Sequence, residues 1–336
     1  MFALAILTAC DGSEPPPTEE IPEFASIHAG AGYTCGLTAD GAALCWGTSD
    51  LGRFGDGEPG GNLFYSPIPA ASGTRFAALS LGFEHACGIG LDDVAYCWGQ
   101  NRDGALGTGD EINTARNTPT PVQGGLQLVQ VSAGFFHTCG LTAAGAAHCW
   151  GNNDVGQLGT GNQDSQLLPA AVLGELEFQR VSTRMGSTVQ VEQNSCGLRP
   201  DGAAWCWGGN QGGALGSGSD EVWSFTPVPV TGGHTFTQLE ASGGYVCGIT
   251  PVADLYCWGR NDLEPTLVAG GLPWTKVSLG SGHACGLLVT GLIYCWGANE
   301  WGQVGIGRGT PQFVAEPTRR RHLVLGLRRA RRAGHR

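Results

Sequence analysis

Residues 35–47 read Cys35-Gly-Leu-Thr-Ala-Asp-Gly-Ala-Ala-Leu-Cys45-Trp46-Gly47. Two short runs flank Ala39-Asp40-Gly41, a three-residue loop in which glycine supplies the left-handed residue of a type I turn with a G1 bulge. Thr38 then faces Ala42. Hydrogen-bonded and non-hydrogen-bonded pairs alternate outward from there, so Cys35 falls opposite Cys45 at a non-hydrogen-bonded site, where Cα atoms approach to about 4.5 Å. That separation lies at the short end of what a disulfide accepts.

The same spacing recurs for Cys87 and Cys97, Cys139 and Cys149, Cys196 and Cys206, Cys247 and Cys257, and Cys285 and Cys295, each second cysteine opening Cys-Trp-Gly. Successive first cysteines are 52, 52, 57, 51 and 38 residues apart, a period that signals stacked units or propeller blades. Gly145, Gly202 and Gly291 hold the turn position of Gly41, with Asp93 and the less suitable Ala253 in units two and five. Cysteine is also a small buried hydrophobe, so a purely packing role is the alternative to six bridges. Zinc sites bring ligands at two- to four-residue spacings, unlike these pairs. His85, His137 and His283 precede a cysteine by two residues, where Tyr33, Asn194 and Tyr245 stand elsewhere, which predicts a hydrogen-bonding role within each repeat.

Outside the hairpin each unit carries a short strand pattern, such as Leu128-Val129-Gln130-Val131, and a glycine-spaced block. The blocks are Gly52-Arg-Phe-Gly55-Asp-Gly57, Gly104-Ala-Leu-Gly107-Thr-Gly109, Gly156-Gln-Leu-Gly159-Thr-Gly161, Gly213-Ala-Leu-Gly216-Ser-Gly218 and Gly302-Gln-Val-Gly305-Ile-Gly307. They open no helical pattern, so they read as tight turns with one apolar plug and not as phosphate cradles. Together, Ala-Gly-x-x-x-x-Cys-Gly-Leu, Cys-Trp-Gly-x-Asn and Gly-x-Leu-Gly-x-Gly resemble the regulator of chromosome condensation repeat in a cysteine-rich bacterial form, over residues 24–317. The resemblance implies an all-β propeller, commonly seven-bladed, with four-stranded blades. Composition agrees, with 57 glycines among 336 residues and almost no helical periodicity. Trp46, Trp98, Trp150, Trp207, Trp258 and Trp296 are expected to fill interfaces between blades.

Three departures stand out. Unit five passes from Cys257-Trp258-Gly259 through Arg260-Asn261-Asp262-Leu263 almost directly to Pro265, so its block is missing and its blade is expected to be trimmed at one edge. Unit four carries extra residues near Thr183–Thr188, expected to protrude. Where a seventh unit would start, residues 318–336 hold eight of the chain's 18 Lys and Arg and none of its 29 Asp and Glu. This predicts a basic, disordered or frameshifted tail, and leaves six blades against a truncated seven open.

At the other end, residues 1–10 form a short apolar run closing on Leu7-Thr8-Ala9-Cys10, similar to the lipobox of bacterial lipoprotein signal peptides, although no positive charge precedes it. Of thirteen cysteines, Cys10 is the one left over. It is the expected lipidation site, followed by an acidic, proline-rich linker over 11–23. Export would meet the oxidising conditions in which disulfides persist, and a bacterial cell-envelope location follows. An eleven-residue loop gives roughly 3 kcal/mol per bridge in the chain-entropy model.

The acidic balance of the repeat region disfavours nucleic acid as a partner, and neither cofactor nor metal is implied. The first functional reading is an envelope-anchored module that binds a protein or glycan, with Phe64, Tyr65, Trp223 and Phe225 as candidate binding residues. The second is an extracytoplasmic polysaccharide hydrolase or lyase, for which Glu84, His148, Glu240 and Glu300 are isolated candidates without a recognisable partner. The resembling family also includes a nuclear guanine-nucleotide exchange factor and a secreted bacterial β-lactamase inhibitor, which adds exchange and enzyme inhibition as further readings.

Overall fold

A computed structural model describes residues 22–110, 112–183, 193–242, 244–268, 271–280 and 282–298, and these form six blades. Blade one comprises β1 (Ser26–Ala29), β2 (Tyr33–Leu37), β3 (Ala43–Thr48) and β4 (Leu63–Pro69); blade two β5 (Phe76–Leu81), β6 (His85–Gly90), β7 (Ala95–Gly99) and β8 (Arg116–Pro121). Blade three comprises β9 (Leu128–Ala133), β10 (His137–Thr142), β11 (Ala147–Gly151) and β12 (Gln166–Ala171); blade four β13 (Arg180–Thr183), β14 (Asn194–Leu198), β15 (Ala204–Gly209) and β16 (Trp223–Pro229). Blade five holds β17 (Gln238–Ser242), β18 (Tyr245–Ile249), β19 (Leu255–Gly259) and β20 (Asp262–Leu267), and blade six β21 (Trp274–Leu279), β22 (His283–Leu288) and β23 (Ile293–Gly297).

Each blade is an antiparallel sheet in chain order. The first strands β1, β5, β9, β13, β17 and β21 pack against one another in sequence around the axis. Their open edges are closed by side chains: Gln130 bonds both the N–H and the carbonyl of Val181 on the next inner strand, at 3.2 and 3.0 Å. Ser80 Oγ accepts from Ala133 N, Ser132 Oγ from Thr183 N and Ser182 Oγ from Ala241 N. Edges that would otherwise invite strand addition are thereby capped from within.

All six cysteine pairs meet in the register read from the sequence. Cys35 stands opposite Cys45, Cys87 opposite Cys97, Cys139 opposite Cys149, Cys196 opposite Cys206, Cys247 opposite Cys257 and Cys285 opposite Cys295. Each pair is joined as a disulfide with Cα atoms 4.0–4.1 Å apart, closer than the 4.5 Å or so of the usual non-hydrogen-bonded pair. The packing-only alternative fails at every pair, Cys139 with Cys149 and Cys196 with Cys206 included: these cysteines are fully buried and bonded to each other. The turn residue is left-handed in every unit, including Asp93 (φ 63°) and Ala253 (φ 67°). Ala253 therefore accepts a strain of about 1–2 kcal/mol, and its hairpin still closes with Thr250 N on Asp254 O at 2.9 Å.

Blade five departs from expectation: it keeps all four strands. What is lost is the loop. Arg260 and Asn261, at φ 53° and 85°, join β19 to β20 as a primed turn whose twist matches that of the flanking strands. Cys10, the inserted residues 184–192, Glu300 and the basic tail lie outside the described residues.

Candidate functional site

The two ends of the propeller differ. One end collects the short cysteine hairpins and the connections between blades. The other collects the turns between first and second strands, together with the long loops 49–62, 100–115, 152–165 and 210–222 that precede the outer strands. These long loops contain the glycine blocks, and a buried asparagine organises three of them. Asn101, Asn153 and Asn210 accept through Oδ1 from Leu106 N, Leu158 N and Leu215 N at 2.9–3.1 Å. Asn153 Nδ2 donates to Asn162 O and Asp164 O, and Asn210 Nδ2 to Ser219 O and Glu221 O. The Asn of Cys-Trp-Gly-x-Asn thus holds the whole loop, because a buried amide must satisfy both its ends.

The block then locks the next blade. A Cβ on Gly55, Gly107, Gly159 or Gly216 would stand 2.7–2.9 Å from the indole of Trp98, Trp150, Trp207 or Trp258, so only glycine lets the loop lie flat on the ring. The apolar plugs Phe54, Leu106, Leu158 and Leu215 are buried, and those four tryptophans are 0–1 % exposed. This bears out their assignment to the interfaces between blades.

His85 and His137 correct an expectation. Their hydrogen bonds run between blades and not within a repeat. His85 Nε2 meets Thr138 Oγ1 at 2.8 Å and His137 Nε2 meets Ser195 Oγ at 2.9 Å. Thr138 and Ser195 donate their own protons to Ala105 O and Gln157 O, so each histidine is the donor through a protonated Nε2. Burial lowers His85 to about 4 and His137 to about 3, with the neighbouring His85 also acting on His137.

On the loop-rich end, amides bridge three blades. Asn152 Nδ2 donates to Asp103 Oδ2 at 3.1 Å and to Asp154 Oδ2 at 2.9 Å, and Gln157 Nε2 reaches Asn152 Oδ1 and Gln193 Oε1. Beside them Phe83 stacks on Phe135 at 4.1 Å, Phe136 meets Phe135 edge-on at 4.2 Å, and the Arg102 guanidinium lies 4.0 Å over Phe136. Such cation–ring packing is worth about 0.5–2 kcal/mol. Every long loop adds carboxylates, among them Asp56, Glu58, Asp110, Asp164, Asp220 and Glu221, and Leu51, Ile112, Val222 and Trp223 expose apolar surface there. Sequence reading missed the amide bridge, because Gln157 fills a variable position of its block.

The four candidate binding residues are not one patch. Phe64 packs against the buried Phe54 at 5.7 Å. Phe225 lies against Gly156 of blade three and stacks near-parallel on Trp223 at 6.2 Å. Tyr65 is 89 % exposed on blade one and Trp223 43 % exposed on blade four. The catalytic candidates are likewise apart: Glu84 on blade two, His148 on blade three, and Glu240 on blade five, 3.6 Å from Arg180. Burial raises Glu240 against the pull of Arg180, and burial lowers His148. Among the described residues no group of three His, Cys, Asp or Glu gathers as a metal site, and no helix is long and apolar enough to cross a membrane.

The regulator of chromosome condensation (RCC1) repeat matches residues 92–141 and 144–197 in one form, and 128–157 and 274–303 in a second. The ultraviolet-B receptor UVR8 of Arabidopsis thaliana is 27 % identical over 235 residues, which cover 70 % of this chain and 52 % of that protein. The human E3 ubiquitin-protein ligase HERC2 is 28 % identical over 245 residues, again 70 % of this chain but 5 % of HERC2. The chain thus spans about half of one curated relative and a small part of the other. Among solved structures, human WBSCR16 superposes with a TM-score of 0.73 at 20 % identity, covering 87 % of this chain and 80 % of that one. Yeast RCC1 (Prp20), crystallised with Kap60, gives 0.73 at 22 %, covering 87 % and 74 %. Repeat, register and fold therefore coincide: the chain carries RCC1 repeats, and they fold as a β-propeller like that of yeast RCC1.

Proposed function

We propose that this chain is an extracytoplasmic, non-catalytic propeller that binds a protein through its loop-rich end, tethered to the bacterial envelope by lipid on Cys10. Six cross-strand disulfides support an oxidising compartment, since glutathione and thioredoxin keep cytosolic thiols reduced. The observation that carries the binding role is the asymmetry of the two ends. Long loops from four blades converge on one end, immobilised by Asn101, Asn153 and Asn210 and by the Asp103–Asn152–Gln157–Gln193 bridge. A rigid surface of carboxylates with a few exposed apolar residues loses little conformational entropy on docking. Its charge suits a partner with basic groups around an apolar centre, and disfavours a nucleic acid. Prp20p of Saccharomyces cerevisiae binds Gsp1p and histones, a precedent for protein partners on this fold.

Two measurements test the reading. Mass analysis of the native protein without reduction is expected to find acylated Cys10 and no free thiol elsewhere; an intact Met1 with free thiols overturns the location. A photo-crosslinking amino acid at Ile112 or Trp223 is expected to capture a discrete partner in the host, with none captured from Val252 on the hairpin end. Capture from Val252 alone overturns the assigned face.

A further inference from the structure

The amide bridge on the loop-rich end leaves two buried polar atoms over, and they are complementary. Val155 N donates to Gln157 Oε1 at 3.1 Å, which fixes the orientation of that amide and makes Nε2 its donating end. One Nε2 proton goes to Asn152 Oδ1 and the other to Gln193 Oε1, 3.2 Å away. Gln193 is fixed in turn, because a flipped amide would set two donors against each other. Its Nε2 is buried and has no acceptor among the described residues.

The imidazole of His137 is fixed from the other side. Ser195 Oγ gives its proton to Gln157 O at 2.8 Å and receives one from His137 Nε2 at 2.9 Å, so the neutral ring keeps a lone pair on Nδ1. That atom too is buried and has no partner among the described residues. Gln193 lies within hydrogen-bonding reach of the ring. A donor lacking an acceptor and an acceptor lacking a donor thus share one junction, where buried polar groups are expected to be paired.

We infer that Gln193 Nε2 donates to His137 Nδ1, closing a ring of hydrogen bonds from Gln157 Nε2 through Gln193, His137 and Ser195 back to Gln157 O. His137 thereby becomes a positioning residue for the carboxylates of Asp103 and Asp154. Asn152 carries the order outward: with Oδ1 held by Gln157, its Nδ2 spends both protons on Asp103 Oδ2 and Asp154 Oδ2. Asp154 is exposed and Asp103 half-buried, and neither is in an ion pair among the described residues. The pair is held ready for a basic group of a partner. That consequence rests on reading this end as the binding face; the ring itself does not. Among the described residues no other junction can build it. The residues corresponding to Gln157 are Arg53, Ala105 and Ala214; the alanines carry no donor, and Arg53 sends Nη1 to Ala31 O of its own blade.

The test uses the full oxidised chain, isotope-labelled for NMR. A scalar coupling across the hydrogen bond between Gln193 Nε2 and His137 Nδ1 is the expected signature, and its absence overturns the ring. Gln193→Glu supplies a second measurement. An acceptor in place of the donor is expected to draw a proton onto His137 Nδ1 and raise its titration by about one to three pH units; an unmoved titration overturns the contact. Positioning is read at Asn152. Its side-chain amide protons are expected to exchange about tenfold faster or more in Gln193→Leu and His137→Phe. His137→Gln, whose amide again offers a donor and an acceptor, is expected to keep the wild-type rate. Unchanged Asn152 exchange in Gln193→Leu overturns the positioning role. All these readouts are made without a partner, so a failure of the binding-face reading leaves them standing.

Discussion

The junction between blades three and four and the junction between blades five and six are built from the same repeat and differ by one loop. In the first, the block Gly156–Gly161 lays Gly159 on Trp207 and buries Leu158 completely. In the second, the turn at Arg260 and Asn261 replaces the block, and Trp296 retains 7 % exposure. The disulfide and its hairpin are the same in both: Cys196 is bonded to Cys206 in blade four as Cys285 is to Cys295 in blade six. Cohesion between blades is therefore carried by the loop after the third strand, whereas cohesion within a blade is carried by the ladder and its bridge. The comparison separates two stabilising devices that the repeat pattern shows only together.

The largest effect expected to sharpen it is the loss of the tryptophan. Trp207→Ala is expected to cost about 3–5 kcal/mol, as large aromatic truncations in a packed core do, and Trp296→Ala distinctly less. Denaturant unfolding of both variants with disulfides intact checks the ranking, and equal losses would break the comparison. Next in size is Gly159→Ala, which must fit a methyl 2.9 Å from the Trp207 ring at φ 70°. Overpacking of about 1–3 kcal/mol adds there to a left-handed penalty of about 1–2 kcal/mol. Gly271→Ala, at φ 84° with nothing within 4 Å, is expected to show the left-handed penalty alone, and the difference in their melting temperatures isolates the loop–tryptophan contact.

Acid provides a third separation. His85 and His137 are lowered by burial to about 4 and 3, so between there and the unfolded value near 6.5 the unfolded chain binds more protons. Their contribution is fully present above pH 6.5 and is lost as pH falls through that window. Hydrogen exchange is expected to show blades two to four loosening first between about pH 6 and 4. Replacing both histidines with glutamine is expected to flatten that dependence, and an unchanged pH profile in the double variant would disprove the role. The smallest effect belongs to the short turn: Asn261→Gly, at φ 85°, is expected to stabilise blade five by up to about 1 kcal/mol by removing left-handed strain.

Much of the fold is legible in the chain because the informative contacts are local. Each cysteine pair spans ten residues, so turn type and strand alternation suffice to put Cys35 opposite Cys45, Cys139 opposite Cys149 and Cys196 opposite Cys206, and even Cys247 opposite Cys257, where Ala253 replaces the favoured glycine. The tryptophans are readable because identical placement in every unit has one simple explanation. The histidines escape such reading for the complementary reason. Two residues before a cysteine is a position that points out of its own sheet, and its partner, Thr138 for His85, stands 53 residues away. The fourth strand of blade five is hidden because a missing loop and a missing strand leave similar gaps in a repeat pattern.

Sequence alone determined the unit: a disulfide-paired hairpin, a glycine-spaced loop, an all-β array with six such units and an acidic head. These follow from turn chemistry, side-chain alternation and spacing, which act over a few residues. The tertiary structure decided how the units meet: which glycine lies on which tryptophan, which histidine reaches the next blade, and which end collects the long loops. Those contacts join residues that no local rule relates, and only close packing between neighbouring sheets selects among them.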